Sequence, residues 1–494
     1  MTTPARPVRV RYAPSPTGEP HIGNIRTAIW SWLFAQHTGG QFLVRIEDTD
    51  RTREVPGAVG RILESLRWLG LTWDEGPDIG GPYAPYVQSE RLKDYHEAAR
   101  YLIVNDHAYR CFCTPDELDE MRKRQQAEKR SPGYEGRCRT ITPEESFERA
   151  AAEPFVVRFK VPHEGTTTVE DLLRGPIVVE NRTLDDFVIL KSDGFPTYHL
   201  AHPVDDTAMA ITHVTRGDEW LPSAPRHALI FDALGYPRPI YVHNAIILAP
   251  GGGKLSKRHG AKSVLEFAED GYLPDALLNF LCITGWGHGD DTVMSRERLI
   301  EVFAMADLSL APATFDIEKL NWMNGVYLRD MPERDLAELF ARRLEIDLPP
   351  EVPRPLDRSF VEEFTPLIRE RVQLLTDVLP LVDFFYQHTV PTPPVEQFLT
   401  KRWKGEPKLA ADVLETAATD IDAVAPWDPT VLEEILRTTA ENAGVKAGDL
   451  FTLVRLAVTG KSVTPPLFES MAIVGSEPSI ERVRAAAAAI RASI

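Results

Sequence analysis

Cysteine and long apolar segments are what this sequence has least of. Four of the 494 residues are cysteine, which is too few for the dense disulfide frameworks of small secreted domains. No stretch of about 18 uncharged apolar residues occurs, as a membrane-spanning helix would need. The segment from Met1 to Ala13 also lacks an apolar run of signal-peptide length. We therefore expect a protein of the reducing cytoplasm that does not enter a membrane.

Positive charge is also in short supply, because 73 acidic residues against 55 lysines and arginines give a formal net charge of −18. Such a balance argues against a polyanionic partner, since phosphate binding usually needs a basic surface. Basic residues do cluster locally, at Arg122, Lys123, Arg124, Lys129 and Arg130, and again at Lys401, Arg402 and Lys404. A solvated helix face has the same pattern. Composition alone thus neither predicts nor excludes RNA binding.

The first fifty residues alternate between strand and helix patterns. Val8 to Tyr12 alternates like a short strand, and a turn-rich loop follows at 14–18. From His21 apolar residues recur at spacings of three and four, which is typical of a helix, and Gly39-Gly40 ends it. The next predicted strand is 42–46. This order is the opening of a doubly wound parallel sheet, so we predict an α/β core.

The rest of the chain indicates further domains, because 494 residues exceed what one hydrophobic core usually holds. Residues 109–197 combine three cysteines, a charged helix at 115–130 and short strands at 155–161 and 177–180, and we interpret them as an insertion. The sheet is predicted to resume near Tyr198 and to include a strand at 239–248. After 329 strand patterns nearly vanish, which predicts an all-α C-terminal region.

Two segments far apart in sequence carry residues that adenylate chemistry needs. Pro14-Ser-Pro-Thr-Gly-Glu-Pro-His-Ile-Gly-Asn24 joins the first strand to the first helix, and Lys254-Leu-Ser-Lys-Arg258 follows three glycines. A helix N-terminus offers N–H groups and a positive dipole end to phosphate, to which His21 can add a hydrogen bond. Gly23 lets a nucleotide approach the backbone, and Lys257 with Arg258 can neutralise charge that grows on the α-phosphate. Either segment alone is a weak signal, but together they predict an ATP site.

These segments resemble the N-terminal end of bacterial glutamyl-tRNA synthetases, which are class I enzymes with a Rossmann catalytic core. The resemblance rests on Ala13-Pro-Ser-Pro-Thr-Gly18, His21-Ile-Gly23, Arg45-Ile-Glu-Asp-Thr-Asp50, Tyr198-His-Leu-Ala201, Arg216-Gly217, Lys254 to Gly260 and Phe315 to Leu320, with further blocks at 450–468. It implies that L-glutamate and ATP with Mg²⁺ form a glutamyl-adenylate, which charges tRNA and leaves AMP and pyrophosphate. The family typically activates glutamate only once tRNA is bound.

The resemblance also implies an arrangement of domains and a set of nucleotide-site residues. A Rossmann catalytic domain would span 1–108 and 198–250, an inserted α+β domain for the tRNA acceptor stem 109–197, a stem-contact region 251–329, and a helical anticodon-binding domain 330–494. The residues that would act in catalysis are His21, Gly23, Lys254, Lys257 and Arg258. The residues that would bind ATP are Pro14, Thr17, Gly18, His21, Gly23, Ser256 and Lys257.

A glutamate pocket needs cations for two carboxylates and an anion for the ammonium group. The predicted glutamate-binding residues are Arg11, Ala13, Ser15, Glu47, Tyr198 and Arg216. Arg11 and, by the family pattern, Arg216 would supply the cations, and Glu47 the anion. Glutamine would leave these arginines unpaired and be rejected. The alternative, an ordinary surface salt-bridge group around Glu47, is less consistent with its place at the carboxyl end of a strand.

Three cysteines in the insertion point to a metal site with an uncertain fourth ligand. Cys111, Cys113 and Cys138 resemble the zinc knuckle of some family members, but the usual fourth position holds Thr140, which is a poor zinc ligand. Tyr134 is a candidate fourth ligand, as in a shorter glutamyl-queuosine relative. Zn²⁺ on these four residues and a metal-free group of buried thiols both stay open. Cys282 is predicted to be a core residue.

Related functions fit the sequence less well. A glutaminyl-tRNA synthetase normally has a β-rich C-terminal region, a glutamyl-queuosine-tRNA synthetase lacks the C-terminal domain, and a non-enzymatic RNA-binding descendant would not need the lysine segment. Two positions depart from the family pattern: Asn24 replaces a histidine, and His202-Pro203 replaces a common Asn-Val pair, so no role is assigned to His202. The resemblance implies tRNA(Glu) as partner and a monomer, and it leaves charging of tRNA(Gln) open.

Overall fold

The structure is a computed structural model that describes residues 7–253, 255, 262–387, 390 and 392–494. These residues form two compact units. The first contains the residues up to Glu269 together with Leu273–Leu320, and the second contains Asp270–Tyr272 and Asn321–Ile494. Among the described residues, no helix has both the length and the apolar character needed to cross a bilayer.

The strands all belong to the first unit. Their bounds are β1 Arg9–Tyr12, β2 Gln41–Val44, β3 Ala108–Cys111, β4 Val156–Phe159, β5 Thr166–Asp171, β6 Gly175–Glu180, β7 Val188–Leu190, β8 His213–Gly217, β9 Ile240–Asn244, β10 Ile247–Leu248 and β11 Ala313–Thr314. Among the described residues, no strand occurs after residue 329, as predicted.

Helices occur in both units and make up nearly all of the regular structure of the second. Their bounds are α1 Ile22–Thr38, α2 Ala58–Trp68, α3 Leu92–Val104, α4 Pro115–Ala127, α5 Pro143–Ala150, α6 Tyr198–Ala208, α7 Ala224–Leu234, α8 Val264–Glu269, α9 Pro274–Ile283, α10 Arg296–Val302, α11 Ile317–Asp330, α12 Glu333–Asp347, α13 Arg358–Ile368, α14 Val378–Val382, α15 Val395–Phe398, α16 Pro407–Asp422, α17 Pro429–Asn442, α18 Ala447–Thr459, α19 Leu467–Val474 and α20 Ser476–Ala492.

A parallel sheet forms the core of the first unit, as the opening pattern predicted. β1 pairs with β2 in parallel, with Arg9 opposite Gln41, and β8 pairs with β9 in parallel, with His213 opposite Ile240. The backbone N–H of Thr212 donates to the carbonyl of Arg9 at 2.9 Å, which joins β1 to the segment just before β8. The carboxyl ends of these strands therefore lie at one edge, where α/β sheets bind ligands.

The helix α1 covers this sheet, and its end explains the two glycines that follow it. Gly39 has φ 61°, a left-handed conformation that closes the last turn. A Cβ on Gly40 would lie 2.4 Å from the carbonyl oxygen of Val8, so the chain can pass β1 closely only without a side chain. β2 begins one residue later, at Gln41.

The segment between β3 and α6 contributes to two sheets. β3, β4 and β7 form an antiparallel sheet, as expected for a separate insertion. The antiparallel hairpin of β5 and β6 joins the parallel sheet instead, because Asp171 pairs in parallel with Tyr241 of β9. Near Tyr198, where the sheet was predicted to resume, the chain forms α6 instead, and the next strand is β8 at His213.

Buried apolar residues of α16, α17, α18 and α20 build the core of the second unit. Trp403 is 3% exposed in that core, and its indole N–H donates to the carbonyl of Asp449 at 3.4 Å. Trp427 packs against the same core, and its N–H donates to the carbonyl of Met471 at 2.9 Å. Both tryptophans are therefore packing residues rather than exposed platforms for stacking bases.

Candidate active site

A cleft of about 1330 Å³ opens at the N-terminus of α1. Thr17, Gly18, His21 and Gly23 line it, which brings together four of the seven residues predicted to bind ATP. His21 is the N-cap of α1, and its side chain does not cap the helix. The first turn also contains no acidic residue, so no carboxylate of that turn competes with an anion for the positive end of the helix dipole.

Gly23 makes room for His21. A Cβ at position 23 would lie 3.2 Å from two ring atoms of His21, tighter than ordinary van der Waals contact. A larger residue would therefore push the imidazole out of its place at the helix start. This is a second reason for glycine here, beside the close approach of a nucleotide that the sequence suggested.

The far side of the cleft comes from the region that surrounds the lysine segment. Leu255 and Ser263 both line the cleft, and Ser263 forms a backbone bridge with His21. Leu255, the described residue of the second signature, thus lines the same cavity as the first signature, although the two lie more than two hundred residues apart. The predicted residues Lys254, Ser256, Lys257 and Arg258 lie outside the described residues.

Arg26 is a cleft residue that sequence analysis did not single out for a role. It is 2% exposed, its guanidinium donates to the carbonyls of Thr284 at 2.8 Å and of Ala245, and it lies 4.4 Å from the ring of Trp30. Burial lowers the pKa of Arg26 to about 9. An arginine on an otherwise apolar stretch of α1 was the available signal.

Carboxylates also line the cleft and give it a mixed charge. They are Glu19, Glu64, Asp218, Glu219, Glu266 and Glu269. Arg61 bonds to Glu19 at 3.2 Å across the same wall. Oxygen ligands of this kind suit Mg²⁺, which usually binds through one or two carboxylates, water and phosphates.

Arg11 lies at the end of β1, and Asp206 of α6 holds it from behind. The Nε of Arg11 donates to both carboxylate oxygens of Asp206 at 3.2 Å. Arg45 bonds to the same carboxylate at 2.6 Å and to Glu47 at 3.1 Å. Although burial alone would raise it, attraction to Arg11 and Arg45 holds the pKa of Asp206 well below its usual value. Asp206 therefore stays ionised and fixes both arginines.

Glu47 lies next to the loop that carries Ala13 and Ser15. Its backbone N–H donates to the carbonyl of Pro14 at 2.9 Å. Burial raises the pKa of Glu47, and the nearby cations Arg45 and Arg11 act in the opposite direction. The alternative of an ordinary surface salt-bridge group does not hold for Arg45 and Glu47, because their side chains are only 0% and 9% exposed.

Arg216 of β8 and Tyr198 at the start of α6 meet directly. The Nη1 of Arg216 donates to the hydroxyl of Tyr198 at 3.0 Å and to Nδ1 of His227 at 3.2 Å. Its Nε donates to Nε2 of His243 at 3.0 Å. The Nη2 of Arg216 is buried and has no hydrogen-bond partner among the described residues.

A chain of contacts through His202 links the two predicted glutamate-binding arginines. His202 is fully buried, with Nδ1 at 2.8 Å from Asp206 and Nε2 at 3.0 Å from the hydroxyl of Tyr241. The guanidinium of Arg216 lies 4.7 Å from the ring centre of Tyr241. One connected group therefore runs along the carboxyl edge of the sheet, and it consists of Arg11, Asp206, His202, Tyr241 and Arg216.

The three cysteines of the insertion come together. Their sulfur atoms lie within 4.8 Å of one another, and the hydroxyl of Tyr134 is 3.3 Å from the sulfur of Cys111 and 3.7 Å from that of Cys113. Hydrogen bonding from Cys138, and then from Tyr134, lowers the pKa of Cys111. Burial raises the pKa of Tyr134, so a metal ion would have to displace the proton of its phenol. Three thiols and one phenol at this spacing fit a tetrahedral Zn²⁺ ion.

Basic side chains of the second unit are largely used within the unit. Arg358 bonds to Glu338 and Glu345, each at 2.8 Å, and Lys461 bonds to Asp383 at 2.6 Å. Exposed ion pairs of this kind contribute little to stability.

Known proteins are similar to this chain over almost its whole length. A family model described as the catalytic domain of class I tRNA synthetases (E and Q) matches residues 7–322, and one described as an anticodon binding domain matches residues 335–487. A glutamate–tRNA ligase of Dehalococcoides mccartyi is 48% identical over 482 residues, which is 97% of this chain and 98% of the relative. One of Chloroflexus aurantiacus is 43% identical over 503 residues, covering 99% of each.

A solved structure is similar at the level of the fold. It is a glutamate tRNA ligase from Elizabethkingia meningosepticum, in complex with its amino acid, with a TM-score of 0.88 and 34% identity. The match covers 98% of this chain and 100% of that chain. The resemblance that the sequence motifs suggested therefore extends to the folded molecule.

Proposed function

Because this chain belongs to the glutamate–tRNA ligases, a family of class I aminoacyl-tRNA synthetases, we propose that the cleft at α1 binds ATP and that the connected arginines bind glutamate. The protein is a ligase that joins glutamate to tRNA at the expense of ATP. The observation that carries the site assignment is the backbone bridge between His21 and Ser263, since it holds the start of α1 next to a residue that follows the lysine segment by five positions.

ATP binding rests on the helix end and on the cations of the lysine segment. The N-terminus of α1 and the imidazole of His21 meet the phosphates. Leu255 and Ser263 line the cleft. The chain between them carries Ser256, Lys257 and Arg258, and Lys254 immediately precedes Leu255. Carboxylates of the cleft suit a Mg²⁺ ion that accompanies the triphosphate and offsets its charge.

Glutamate binding rests on matched charges. Arg216 takes the side-chain carboxylate, Arg11 supplies a second cation, and Glu47 accepts the ammonium group beside Ser15. Tyr198 fixes the position of Arg216 through its hydroxyl at 3.0 Å. A glutamine side chain would place a neutral amide against Arg216 and lose a charge-assisted hydrogen bond, which favours its rejection.

The reaction then needs positioning rather than a covalent intermediate on the enzyme. An oxygen of the α-carboxylate of glutamate attacks the α-phosphorus of ATP, and the bond to the leaving pyrophosphate breaks. A terminal ribose hydroxyl of tRNA next attacks the carbonyl carbon of the adenylate, loses its proton and releases AMP. The helix N-terminus and the cations of the lysine segment stabilise the charge that develops in the first step.

A charging assay with matched tRNAs tests this assignment. We expect glutamate to be attached to tRNA(Glu), and Lys257→Ala to lower adenylate formation about hundredfold or more while tRNA binding persists. Lys93→Ala, which removes an exposed lysine of α3, is the matched control and should keep full activity. Unchanged single-turnover adenylate formation in Lys257→Ala would remove Lys257 from its role.

Partner choice and location are the remaining parts of the proposal. tRNA(Glu) is the proposed partner, and the match of residues 335–487 to an anticodon binding domain supports this. The enzyme is proposed to act as a monomer in the cytoplasm. Charging of purified tRNA(Gln) with glutamate decides between an enzyme specific for tRNA(Glu) and one that also misacylates tRNA(Gln).

The proposed metal centre holds Zn²⁺ through Cys111, Cys113, Cys138 and Tyr134. Such an ion would tie β3 to the loop that carries Cys138 and would have a structural role. Metal analysis of the purified protein should find about one zinc ion per chain, lost in Cys138→Ser. Cys282→Ser, at a buried thiol of α9, is the control and should keep the metal. Protein that stays free of zinc after supplementation would disprove the centre.

A further inference from the structure

Arg216 is a buried arginine whose hydrogen-bond partners are all uncharged. Its side chain is 6% exposed, and among the described residues it donates to two imidazoles and one phenol. Arg11 and Arg45 differ from it, because each has a carboxylate within hydrogen-bond distance. A buried charge that is not neutralised costs free energy unless an anion arrives to pair with it.

The direction of each hydrogen bond fixes the state of His243. Since the Nε of Arg216 can only donate, Nε2 of His243 must accept and carries no proton. The proton therefore lies on Nδ1, which donates to Asp171 at 2.7 Å. Asp171 also accepts the backbone N–H of His243 at 3.1 Å. Asp171 thus selects the tautomer of His243. The imidazole of His243 lies between this carboxylate and Arg216.

His227 accepts from Arg216 in the same way on the other side. Its Nδ1 receives a hydrogen bond from Nη1, so its proton lies on Nε2, which is 3.0 Å from Nδ1 of His199. Burial, together with nearby His202 and Arg216, lowers the pKa of His227 well below its usual value. Burial also lowers the pKa of His243. Both rings are therefore neutral acceptors.

These contacts leave Arg216 oriented but not neutralised. An arginine has five N–H donors in a planar fork, and the three neutral partners engage Nε and Nη1 of Arg216. Nη2 is buried with no hydrogen-bond partner among the described residues. A carboxylate is the ligand group that matches such a fork and supplies the missing negative charge.

We propose that His227 and His243 are positioning residues that hold Arg216 through neutral nitrogen acceptors, so that its charge is kept for the side-chain carboxylate of glutamate. This inference rests on the proposed role of Arg216 in binding that carboxylate. Carboxylates in place of these imidazoles would orient the guanidinium equally well but would satisfy its charge before substrate arrives. The imidazoles therefore contribute to the preference for glutamate over glutamine.

Exchanges to glutamine and asparagine test this, because the two amides reach different ring positions. The side-chain amide of glutamine reaches the place of Nε2, and that of asparagine the place of Nδ1. At position 243 the acceptor for Arg216 is Nε2, whereas at position 227 it is Nδ1. His243→Gln and His227→Asn therefore keep an acceptor for Arg216, and His243→Asn and His227→Gln remove it.

The expected result is a crossed pattern in the KM for glutamate, measured by charging of tRNA(Glu) with the full chain. His243→Asn and His227→Gln should raise this KM about tenfold or more, and His243→Gln and His227→Asn about threefold or less. The KM for ATP should stay within about twofold in all four variants. The ratio of kcat/KM for glutamate to that for glutamine should fall in the first two variants only.

A purely structural role gives a different pattern. If both exchanges at each position have the same effect, or if the KM values for ATP and glutamate rise together, the inference is wrong. Should one variant fail to fold, the pair at the other position decides by itself. Arg216→Lys separates the role of the histidines from the proposed role of Arg216. An unchanged KM for glutamate in Arg216→Lys overturns the glutamate site itself. A raised KM in Arg216→Lys without the crossed pattern overturns only the role of the histidines.

Discussion

At the scale of single residues, the proposed glutamate site contains imidazoles that stay neutral because they are buried. His202 has Nδ1 at 2.8 Å from Asp206 and Nε2 at 3.0 Å from the hydroxyl of Tyr241. Burial lowers the pKa of His202 to about 3 and that of His199 to about 4. An unfolded chain would protonate both rings near pH 6.5. Folding and proton binding therefore oppose each other in mild acid.

We predict that this opposition makes the protein less stable in mild acid. Between about pH 6.5 and the folded pKa of about 3, the unfolded chain binds a proton at position 202 that the folded chain does not. The contribution is thus fully present above pH 6.5 and is lost as the pH falls. Between pH 7.5 and 5.5 this amounts to about 1.4 kcal/mol for His202.

Thermal denaturation at the two pH values measures this contribution. In His202→Asn the amide can still donate to Asp206 but does not titrate, so the drop in Tm between pH 7.5 and 5.5 should be smaller by about 2 °C. His163→Gln removes an exposed histidine and should leave the drop as in the wild type. An equal drop in wild type and His202→Asn would show that position 202 takes up its proton without unfolding.

Residue types in the site could be predicted, but their pairing could not. Arg11, Glu47 and Arg216 were predicted from motifs and from the charges of glutamate, and their role stays a prediction. Asp206 lies 195 positions from Arg11, and no local pattern shows that its carboxylate would pair with Arg11 and Arg45. The roles of Tyr241, His227 and Asp171 also depend on contacts across β8, β9 and α7 that only the fold creates.

At the scale of elements, the turn after α1 has two glycines with different tasks. Gly39 adopts φ 61° with nothing near its absent side chain, whereas a Cβ on Gly40 would meet the carbonyl oxygen of Val8 at 2.4 Å. Alanine at 39 costs the strain of a left-handed residue, about 1 kcal/mol. Alanine at 40 must push two backbone segments apart, which costs more because backbone yields less than a flexible side chain.

We therefore predict that Gly40→Ala lowers the Tm clearly more than Gly39→Ala. Gly60→Ala is the matched control, since Gly60 lies inside α2 with open space around it. Alanine there should stabilise the helix by up to about 1 kcal/mol. Circular dichroism melts of the three variants give the comparison. Equal losses in Gly39→Ala and Gly40→Ala would mean that β1 and the turn can separate without cost.

Local signals predicted the first three elements of the chain well. β1, α1 and β2 were found to within a few residues, because alternation, helical spacing and the Gly39-Gly40 stop are all local. The helix α6 was missed, since Leu200 to Asp206 are all buried and no polar face marks the period. Of the hairpin of β5 and β6, only β6 was predicted, as the strand 177–180, and it was placed in the insertion. The strand β9, to which the hairpin pairs, lies far along the chain.

At the scale of the whole molecule, the chain matches a catalytic domain over residues 7–322 and an anticodon binding domain over residues 335–487. tRNA is the one substrate long enough to contact both of these regions. A ligand that binds a catalytically competent state more tightly than a resting state shifts the population toward the competent state. tRNA can therefore act as an activator of the first chemical step as well as the acceptor in the second.

We predict on this basis that exchange of pyrophosphate into ATP, which reports adenylate formation, depends on tRNA. Without RNA the exchange rate should fall to about one hundredth or less, because a shift of that size needs only about 2.7 kcal/mol of differential binding. tRNA(Glu) with a periodate-oxidised terminal ribose is the informative control: it cannot accept glutamate, yet it should restore exchange. Rapid exchange in the absence of any RNA would show that the ligand-free site is already competent and that tRNA serves only as acceptor.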